Sequence, residues 1–458
     1  MPNFLDFMER ATEGPILSDD AFNMQVLLPN VARIVKEYGI RYNREEPLSS
    51  DDEMADRLFE AAVEFLVESG VYCNATNRVI QVDREEIVKA VADLPGESTF
   101  GEGQDRRVFK ARNLDDPSPP WCFVGGGIAA SSEEVAMAQV EGYGSIPQAN
   151  GISIPPISHV KGIPAIGGSP LEIYASISSV QLGRKALWKC GRPGLPIMNL
   201  VSASTSAVGT IAATFPTFGL RPSDGWLIDV IAEMRVDFET LNRLAFVLSI
   251  GGNVGSTALP ILGGYAGGPE GTSLVMTTCY LLGMLLLKGS YHLTCPIHFR
   301  YGCSSTRECM WVYSMVGRAT SRHMRYPDLA NGYAAAGPCT RMYFYEAAAV
   351  NLCCVTSGYG GVETVHPAKA IVEDGITPME ARFCTEVAHA AAGMKAEQAN
   401  EIVQQLLEKY EREIENAPQG KHYQECYDLK TGKPHEDYVR LYGEVKAELS
   451  KMGVPFQA

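Results

Sequence analysis

Polar side chains that could do chemistry stand where apolar segments of this chain end. Asn199 lies toward the end of one such segment, His298 and Arg300 lie in another, and Asn331 and Tyr333 lie at a third. If these segments are parallel strands of a barrel, their carboxyl ends meet at one edge and the polar residues form one site. The set is rich in glycine and amides and poor in carboxylates. It therefore argues against glycosidases and metal-dependent hydrolases, which need paired acids or metal ligands.

The two histidines near the sixth predicted strand have the spacing of one strand face. His292 and His298 are six residues apart, and an even spacing puts both side chains on the same side of a strand. No third ligand follows at a suitable distance, so no metal site is predicted. We interpret His298 as a polar pocket residue. Arg300 belongs either to a salt-bridged network with Arg307 and Glu308 or to a site that holds a carboxylate in bidentate fashion.

Two further segments contain residue types that could bind or react. The glycine-rich stretch 263–268, GGYAGG, lacks the Lys-Ser/Thr of a phosphate-binding loop, so it predicts a tight turn. Tyr265 within it either offers its ring face to a cation or packs on a neighbouring helix. The stretch 202–210, SASTSAVGT, contains no Gly-x-Ser-x-Gly elbow, so no serine nucleophile is predicted.

The elements that must position these residues follow from the apolar pattern. The predicted strands are 121–127, 149–154, 195–201, 245–253, 259–264, 295–302 and 332–337. The predicted helices between them are 133–142, 170–190, 225–244, 272–288, 306–324 and 340–355. Repeated alternation of strands and helices implies parallel strands, and nearly continuous apolar strands are typical of a sheet covered on both faces. We therefore predict an α/β fold, a (β/α)8 TIM barrel rather than an open sheet.

The domain organisation is predicted as one barrel with two extensions. Residues 1–115 form an α-rich N-terminal extension, residues 116–395 the barrel, and residues 396–458 a C-terminal helical extension. The segment 397–414 has one apolar stripe with charges on the opposite face, which fits a docking or subunit-interface helix as well as a simple cap. The most apolar run, 274–287, falls short of the ~20 residues of a membrane span and is predicted to be a buried helix.

Composition excludes several classes of partner. The formal net charge of the 458-residue chain is −15, which disfavours nucleic acid and anionic membranes as partners. The 12 cysteines form no C-x-x-C pair, so they are interpreted as reduced thiols of a cytoplasmic protein. The first residues, MPNFLDFMERATEG, lack the apolar core of a signal peptide.

Several long motifs resemble one enzyme family over nearly the whole chain. They are PILGGYAGG (260–268), HFRYG with STRE (298–308), AGPCT (336–340), MEARF (379–383) and QECYD (424–428). On these motifs the chain resembles the monomethylamine:corrinoid methyltransferases of methylotrophic methanogens. The resemblance implies a cytoplasmic (β/α)8 barrel that assembles as a homohexamer. It implies transfer of a methyl group from a methylamine to the Co(I) of a corrinoid (cobalamin) on a separate small protein, with no cofactor bound tightly to the barrel itself.

The sequence departs from that family where its chemistry is expected. The family's hallmark is a pyrrolysine shortly after the turn GRPG, which here is 191–194. The following stretch 196–200, PIMNL, has only standard residues. By the flanking motifs, the family's two pocket carboxylates and its glutamine fall on Leu227, Thr257 and Asn331. The resemblance therefore implies a pocket that has lost its acids.

These departures lead to a hypothesis about the substrate. A quaternary ammonium or sulfonium already carries a neutral leaving group, so the pocket needs only desolvation, aromatic faces and placement. We expect such a donor rather than monomethylamine. The predicted catalytic residues are Asn199, His298 and Asn331. The predicted substrate-binding residues are Met198, Leu227, Thr257, Tyr265, Arg300 and Tyr333. Two alternatives stay open: a monomethylamine methyltransferase that works without pyrrolysine, and a noncatalytic substrate-binding barrel.

Overall fold

Eight parallel strands form a barrel at the centre of the molecule. The computed structural model describes residues 3–199, 206–215 and 219–456. The strands are β1 Trp121–Val124, β2 Gly151–Ile152, β3 Met198–Asn199, β4 Gly225–Val230, β5 Asn253–Ala258, β6 Tyr291–Thr294, β7 Asp328–Ala330 and β8 Gly361–Glu363. They pair in the order β2-β1-β8-β7-β6-β5-β4-β3. A parallel bridge between Ile152 and Ile197 joins the two ends of this sheet. The prediction of a (β/α)8 barrel is confirmed.

A helix follows each strand and covers the outside of the barrel. The helices are α1 Glu133–Gly144, α2 Pro170–Lys189, α3 Ala207–Ala213, α4 Phe238–Ser249, α5 Pro269–Leu285, α6 Arg307–His323, α7 Arg341–Thr356 and α8 Pro378–Ala391. Several begin at a residue whose side chain accepts a backbone N–H of the first turn, as Ser132, Asp237 and Thr306 do. Every residue of α5 from Gly271 to Leu285 is buried. No helix in the described ranges is long and apolar enough to cross a membrane.

The predicted positions of several strands are wrong. The segment 225–244 was expected to be a helix, but it holds β4 and the start of α4, and 245–253 holds the end of α4. The segments 259–264 and 295–302 contain a short outer ladder, Ile261–Leu262 with Ile297–His298, beyond the ends of β5 and β6. Strand β7 precedes the predicted 332–337, and β8 was not predicted. Short apolar runs do not distinguish a buried strand from a buried helix, so periodicity misplaced these elements.

The N-terminal residues form a helical layer on the barrel. Its helices are Phe4–Glu13, Asp19–Ala21, the π-helical Phe22–Leu27, Leu28–Glu37, Asp52–Ser69 and Arg84–Ala92. Asp52–Ser69 packs on α5 and α6. Asp51 caps it, and Gly70 ends it with a φ of 63°. The strands Val71–Cys73, Arg78–Ile80 and Arg235–Val236 form a small sheet that ties this layer to the loop after β4.

An aromatic hairpin fills the amino end of the barrel. The strands Glu97–Phe100 and Arg107–Lys110 form this hairpin, whose Phe100 and Phe109 are buried. The Phe100 ring centroid lies 5.5 Å from that of Trp121 and 5.3 Å from that of Tyr291, the first residues of β1 and β6. The barrel interior is therefore solid at this end. We call this hairpin and its aromatic contacts the plug.

The C-terminal residues pack as helices outside the barrel. Ala396–Tyr410 continues as the 3-10 turn Glu411–Asn416, and Tyr423–Cys426 and Glu436–Lys451 follow. The first of these helices packs on α7 and buries its apolar stripe, as the pattern over 397–414 predicts. Two-stranded ladders, His159–Val160 with Ile163–Pro164 and Tyr427–Asp428 with Lys433–Pro434, complete the described elements. The boundaries 1–115, 116–395 and 396–458 stay a prediction.

Candidate active site

A cavity of about 190 Å³ lies inside the barrel at the carboxyl ends of the strands. We call it the mouth cavity. Its lining residues are Gly127, Ser153, Pro156, Asn199, Leu227, Asp229, Thr257, Leu259, Leu293, Asn331, Tyr333, Glu363, His366 and Ala370. This is the end of a (β/α)8 barrel where active sites form, because the loops that follow the strands converge there.

Alternation along the strands gives the cavity an apolar floor and polar walls. Leu227 and Asp229 are two residues apart on β4, so both side chains point into the barrel. Leu227 packs against the cluster that contains the plug and Leu293, and these two leucines form the floor. Asp229 lies one layer nearer the mouth. The glycine at position 255 allows this packing, because a Cβ at that position would lie 2.3 Å from the Tyr291 ring.

Asp229 is a carboxylate whose charge is only partly balanced. Its side chain is 23% exposed, and Nη1 of Arg243 on α4 lies 3.9 Å from its Oδ2, beyond hydrogen-bond distance. Nε and Nη1 of Arg243 are buried and have no hydrogen-bond partner among the described residues. Burial raises the pKa of Asp229 to about 6, and the charge of Arg243 opposes that rise.

A second carboxylate stands beside a histidine on the neighbouring wall. Glu363 ends β8, and its Oε1 lies 3.5 Å from Nε2 of His366. Both side chains are buried. Burial raises the pKa of Glu363, and the proximity of His366 opposes that rise. The Tyr333 ring centroid lies 5.0 Å from that of His366. The cavity therefore contains two acids and an imidazole that could bind a cation and move a proton.

Comparison with known proteins identifies the family. The sequence pattern described as "Monomethylamine methyltransferase MtmB" matches residues 3–454. Monomethylamine methyltransferase MtmB1 of Methanosarcina barkeri is 32% identical over 456 residues, covering 98% of each chain. The chain belongs to the monomethylamine methyltransferase MtmB family. It is thus a member of a methyltransferase family, as the motifs predict.

Other members agree in sequence and in structure. MtmB of Methanosarcina mazei is 32% identical over 98% of both chains. The crystal structure of the Methanosarcina barkeri enzyme superposes with a TM-score of 0.94 at 30% identity, covering 99% of this chain and 98% of that one. A structure described as the hydroxylamine MtmB complex matches with the same TM-score of 0.94.

Five of the predicted site residues line the mouth cavity: Asn199, Leu227, Thr257, Asn331 and Tyr333. The Asn199 amide is committed to the fold, because its Oδ1 accepts from the Ile154 N–H at 2.7 Å and its Nδ2 donates to the Ile154 carbonyl at 2.9 Å. These bonds fix the orientation of the Asn199 side chain, and its catalytic role stays a prediction. Thr257 Oγ1 is buried and lacks a partner in the described part of the chain, so it is available to a ligand.

Four predicted site residues lie elsewhere, which corrects their assignment. Met198 is buried against the plug. Tyr265, 47% exposed, lines an outer groove with Arg235. His298 lies beyond the end of β6, with its ring centroid 4.6 Å from that of Tyr301. Arg300 is 63% exposed and its Nη2 lies 2.8 Å from an oxygen of Glu415. The physical reason is the misplaced strand ends: these side chains belong to loops or to the filled barrel interior.

The expectation that the pocket has lost its acids is also corrected. Leu227 and Thr257, to which the family resemblance assigns the positions of carboxylates, line the mouth cavity. Asp229, however, follows Leu227 on the same face of β4, and Glu363 enters from β8. Of the stretch 196–200, where the resemblance places pyrrolysine, residue 200 lies outside the described residues, as do 202–205 of the Ser/Thr-rich stretch.

Sequence reasoning missed Asp229, Glu363 and His366, although a signal was present. In GWLIDV, the outward positions 226, 228 and 230 are apolar and buried, and Asp229 lies between them. In GVETVH, Glu363 lines the cavity and follows the buried Val362. The period-two spacing of the buried apolar residues in GWLIDV is the mark of a strand.

Proposed function

We propose that this chain transfers a methyl group from a small methylated ammonium ion, bound in the mouth cavity, to the Co(I) of a corrinoid on a separate small protein. The observation that supports the donor class is the charge of the cavity. Asp229 and Glu363 are opposed by one buried guanidinium, that of Arg243. With both acids ionised, one negative charge is left over, and one monovalent cation balances it.

The arrangement of the walls supports a defined orientation of the donor. The leucine floor offers an apolar surface to the nonreacting methyl groups of a quaternary donor, while the carboxylates attract the charged nitrogen of either donor from the sides. The buried position excludes water and strengthens these interactions. The reacting methyl group then faces the open end of the barrel, which is the placement that in-line transfer to an acceptor needs.

The corrinoid is a co-substrate that another protein would present. The loops after β6 and β8 carry two exposed apolar side chains, Phe299 at 73% and Ile371 at 77% exposure. Such residues at the mouth fit a partner that docks over the opening. When bound, the corrinoid supplies the nucleophile that accepts the methyl group. The barrel residues bind the donor, orient it and keep water away.

Two kinds of methylated ammonium fit the cavity. A quaternary donor fits the apolar floor and the Tyr333 ring, and it needs no pyrrolysine because its leaving group departs neutral. Monomethylammonium fits the carboxylates and the unpartnered Thr257 hydroxyl, which can accept N–H groups. The sequence-based preference for a quaternary donor rested on missing acids. Because Asp229 and Glu363 are present, both donors are proposed and the assay decides between them.

The test is methyl transfer to free Co(I)-cobalamin, followed by absorbance, with monomethylamine, glycine betaine, tetramethylammonium and a sulfonium as donors. We expect transfer from at least one ammonium donor. Transfer from a quaternary donor alone, or from monomethylamine alone, identifies the subclass. The absence of methyl transfer from every donor, both to free cobalamin and in a repeat with a corrinoid-carrying protein, would contradict the proposal. Calorimetric binding of the same donors without transfer would then favour the noncatalytic binding barrel.

The remaining properties implied by the family are part of the same proposal. They are a cytoplasmic location, assembly as a homo-oligomer that is hexameric in the family, and the absence of nucleic-acid and membrane partners. Each stays a prediction from resemblance and composition. Sedimentation of the purified chain tests the oligomer directly.

A further inference from the structure

We infer that His366, oriented by Glu363, is a catalytic residue that donates a proton to the amine nitrogen as its methyl group leaves. This inference rests on the proposed function and deepens it, because it assigns the control of the substrate proton to a named pair of side chains. It holds for either kind of methylated ammonium.

Backbone contacts fix His366 at the wall of the cavity. The His366 N–H donates to the Gly332 carbonyl at 2.7 Å, and the His366 carbonyl accepts from the Ala334 N–H at 2.9 Å. On the other side, the Thr364 N–H donates to the Phe123 carbonyl of β1 at 3.0 Å. The segment after β8 is thus held between two neighbouring strands, which is the rigidity that a catalytic side chain needs.

The glycine-rich end of β1 makes room for the imidazole. A Cβ at Gly126 would lie 2.3 Å from Cδ2 and 2.5 Å from Nε2 of His366. Backbone and ring therefore touch directly at this position, and any larger residue would displace the ring. The ring centroid lies 5.0 Å from that of Tyr333, and His366 lines the mouth cavity.

The His366 imidazole is buried, and its two nitrogens lack hydrogen-bond partners among the described residues. His366 is 5% exposed, and neither Nδ1 nor Nε2 has a hydrogen-bond partner in the described ranges. Buried polar groups in native proteins normally have partners, so an unpartnered ring that lines a cavity points to a ligand. Oε1 of Glu363 lies 3.5 Å from Nε2 of His366, so a small rearrangement would complete their hydrogen bond.

The charges around this ring come from three elements. Glu363 faces it from its own strand, and Tyr333 faces it from the extension of β7. Asp229, with Arg243 behind it, lines the same cavity from β4. On the β1 side the neighbours are uncharged backbone. Two acids against one guanidinium favour one cation in the cavity, which is the donor ammonium before the reaction and the product amine, once it has taken the proton of His366, after it.

The proton balance of the step is complete. When the methyl carbon passes to the corrinoid, the C–N bond breaks and both its electrons stay on nitrogen, so the amine leaves as a neutral base. The imidazolium N–H bond of His366 breaks and a new N–H bond forms on that electron pair. The ring becomes neutral and regains its proton from solvent. Protonation of the amine blocks its return attack on the methyl group.

His292 provides a matched control because it is a buried histidine that does not line the cavity. Its Nδ1 lies 2.7 Å from Ser256 Oγ on the outer side of the barrel, and its Nε2 lacks a partner among the residues described. Burial lowers the pKa of His292 to about 3, so this ring stays neutral. A purely structural role for His366 should resemble the role of His292.

The experiment compares His366→Gln, His366→Gly and Glu363→Gln with His292→Gln. In single-turnover transfer we expect His366→Gln to slow the rate by about 100-fold, the low end of general-acid effects, with donor affinity by calorimetry within about threefold. The wild-type rate should fall as pH rises, because the ring loses its proton, and His366→Gln should lack that fall. Added imidazole should restore part of the rate to His366→Gly. Glu363→Gln should show a smaller loss than His366→Gln, and folded His292→Gln should keep the wild-type rate and pH dependence.

The outcomes separate this inference from the proposed function. No transfer by the wild type from any donor, with a corrinoid-carrying protein present, would overturn both. Wild-type transfer that His366→Gln retains within about threefold, with its pH dependence intact, would overturn the inference alone. If His366→Gln does not fold, the imidazole response of His366→Gly decides: an absent response, with the variant folded by circular dichroism, also overturns it.

Discussion

At the scale of single residues, Asp229 shows how a side chain that favours the binding of a cation can lower the stability of the fold. The carboxylate lies in the barrel, one layer above Leu227, and faces a guanidinium 3.9 Å away. Its pKa near 6 means that burial disfavours the charged form despite Arg243. A cationic ligand would restore the balance that the fold leaves incomplete.

Replacing Asp229 by Asn should weaken donor binding. The variant keeps the shape of the side chain and removes its charge, so we expect donor affinity at pH 8 to fall about 30-fold, or about 2 kcal/mol. Calorimetric titration with the active donor measures this. Wild-type binding should also weaken below about pH 6, where Asp229 becomes protonated. The exposed Asp93→Asn is the control, and equal affinity in both variants would contradict the assignment.

The same substitution should change the pH dependence of stability. The pKa of Asp229 is raised from its ordinary value to about 6, so its stabilising contribution is present below pH 4 and is lost as pH rises through 6. The free energy of unfolding of Asp229→Asn, relative to wild type, should therefore increase by about 2 kcal/mol between pH 4 and pH 8. Urea unfolding at both pH values checks this. A constant difference would show that Asp229 titrates normally.

At the scale of elements, the alternation of strands and helices predicted the barrel, but not the register of its strands. Fold class needs only repeated apolar runs, and these were present. The ends of strands decide which side chains enter the cavity, and runs such as AFVLSIGGN satisfy both a helix and a buried strand. Tyr265, His298 and Arg300 were misassigned for this reason. Asp229 was hidden in a predicted helix, and Glu363 in a segment with no predicted element.

Resemblance located the residues that periodicity could not. Leu227, Thr257 and Asn331 came from aligned motifs, and all three line the mouth cavity. Acids that enter the cavity from other positions cannot be found in this way, because matched motifs show only the residues at the positions of the family's own carboxylates. Asp229 and Glu363 become visible only when the strands are closed into a barrel and the inward faces are compared.

Close packing within the strands makes one glycine indispensable. Gly255→Ala on β5 would place a Cβ 2.3 Å from the buried Tyr291 ring, so we expect a loss of about 2 kcal/mol in unfolding free energy. Gly443→Ala is the matched control, because nothing lies within 4 Å of that Cβ. Gly443 is an exposed helical residue, and alanine there should stabilise by about 0.5–1 kcal/mol. Equal effects in urea unfolding would contradict the packing argument.

At the scale of the whole molecule, the C-terminal helices are attached to the barrel by apolar burial. The helix Ala396–Tyr410 buries Leu406 and Leu407 completely, and the Tyr410 hydroxyl donates to the Ser305 carbonyl at 2.7 Å. These contacts join the extension to the loop before α6. The extension should therefore unfold together with the barrel and not before it.

Leu406→Ala tests this cooperativity. The truncation leaves a cavity in a fully buried position, so we expect about 3 kcal/mol of destabilisation with one unfolding transition. Circular dichroism and tryptophan fluorescence, to which Trp121 of the plug contributes, should give the same urea midpoint. Gln405→Ala, at an exposed position of the same helix, should leave the midpoint unchanged. Two separated transitions would show that the extension is an independent unit.

Because of the plug, the mouth cavity has a single opening. Phe100 and Phe109 close the amino end of the barrel, so a molecule that enters the cavity must leave by the opening through which it came. A corrinoid-carrying protein seated on that opening blocks both movements. Turnover under the proposed function is then a compulsory sequence: the donor binds first, the partner docks, and the demethylated amine escapes only after the partner withdraws. An excess of partner should therefore slow steady-state turnover by trapping the product inside.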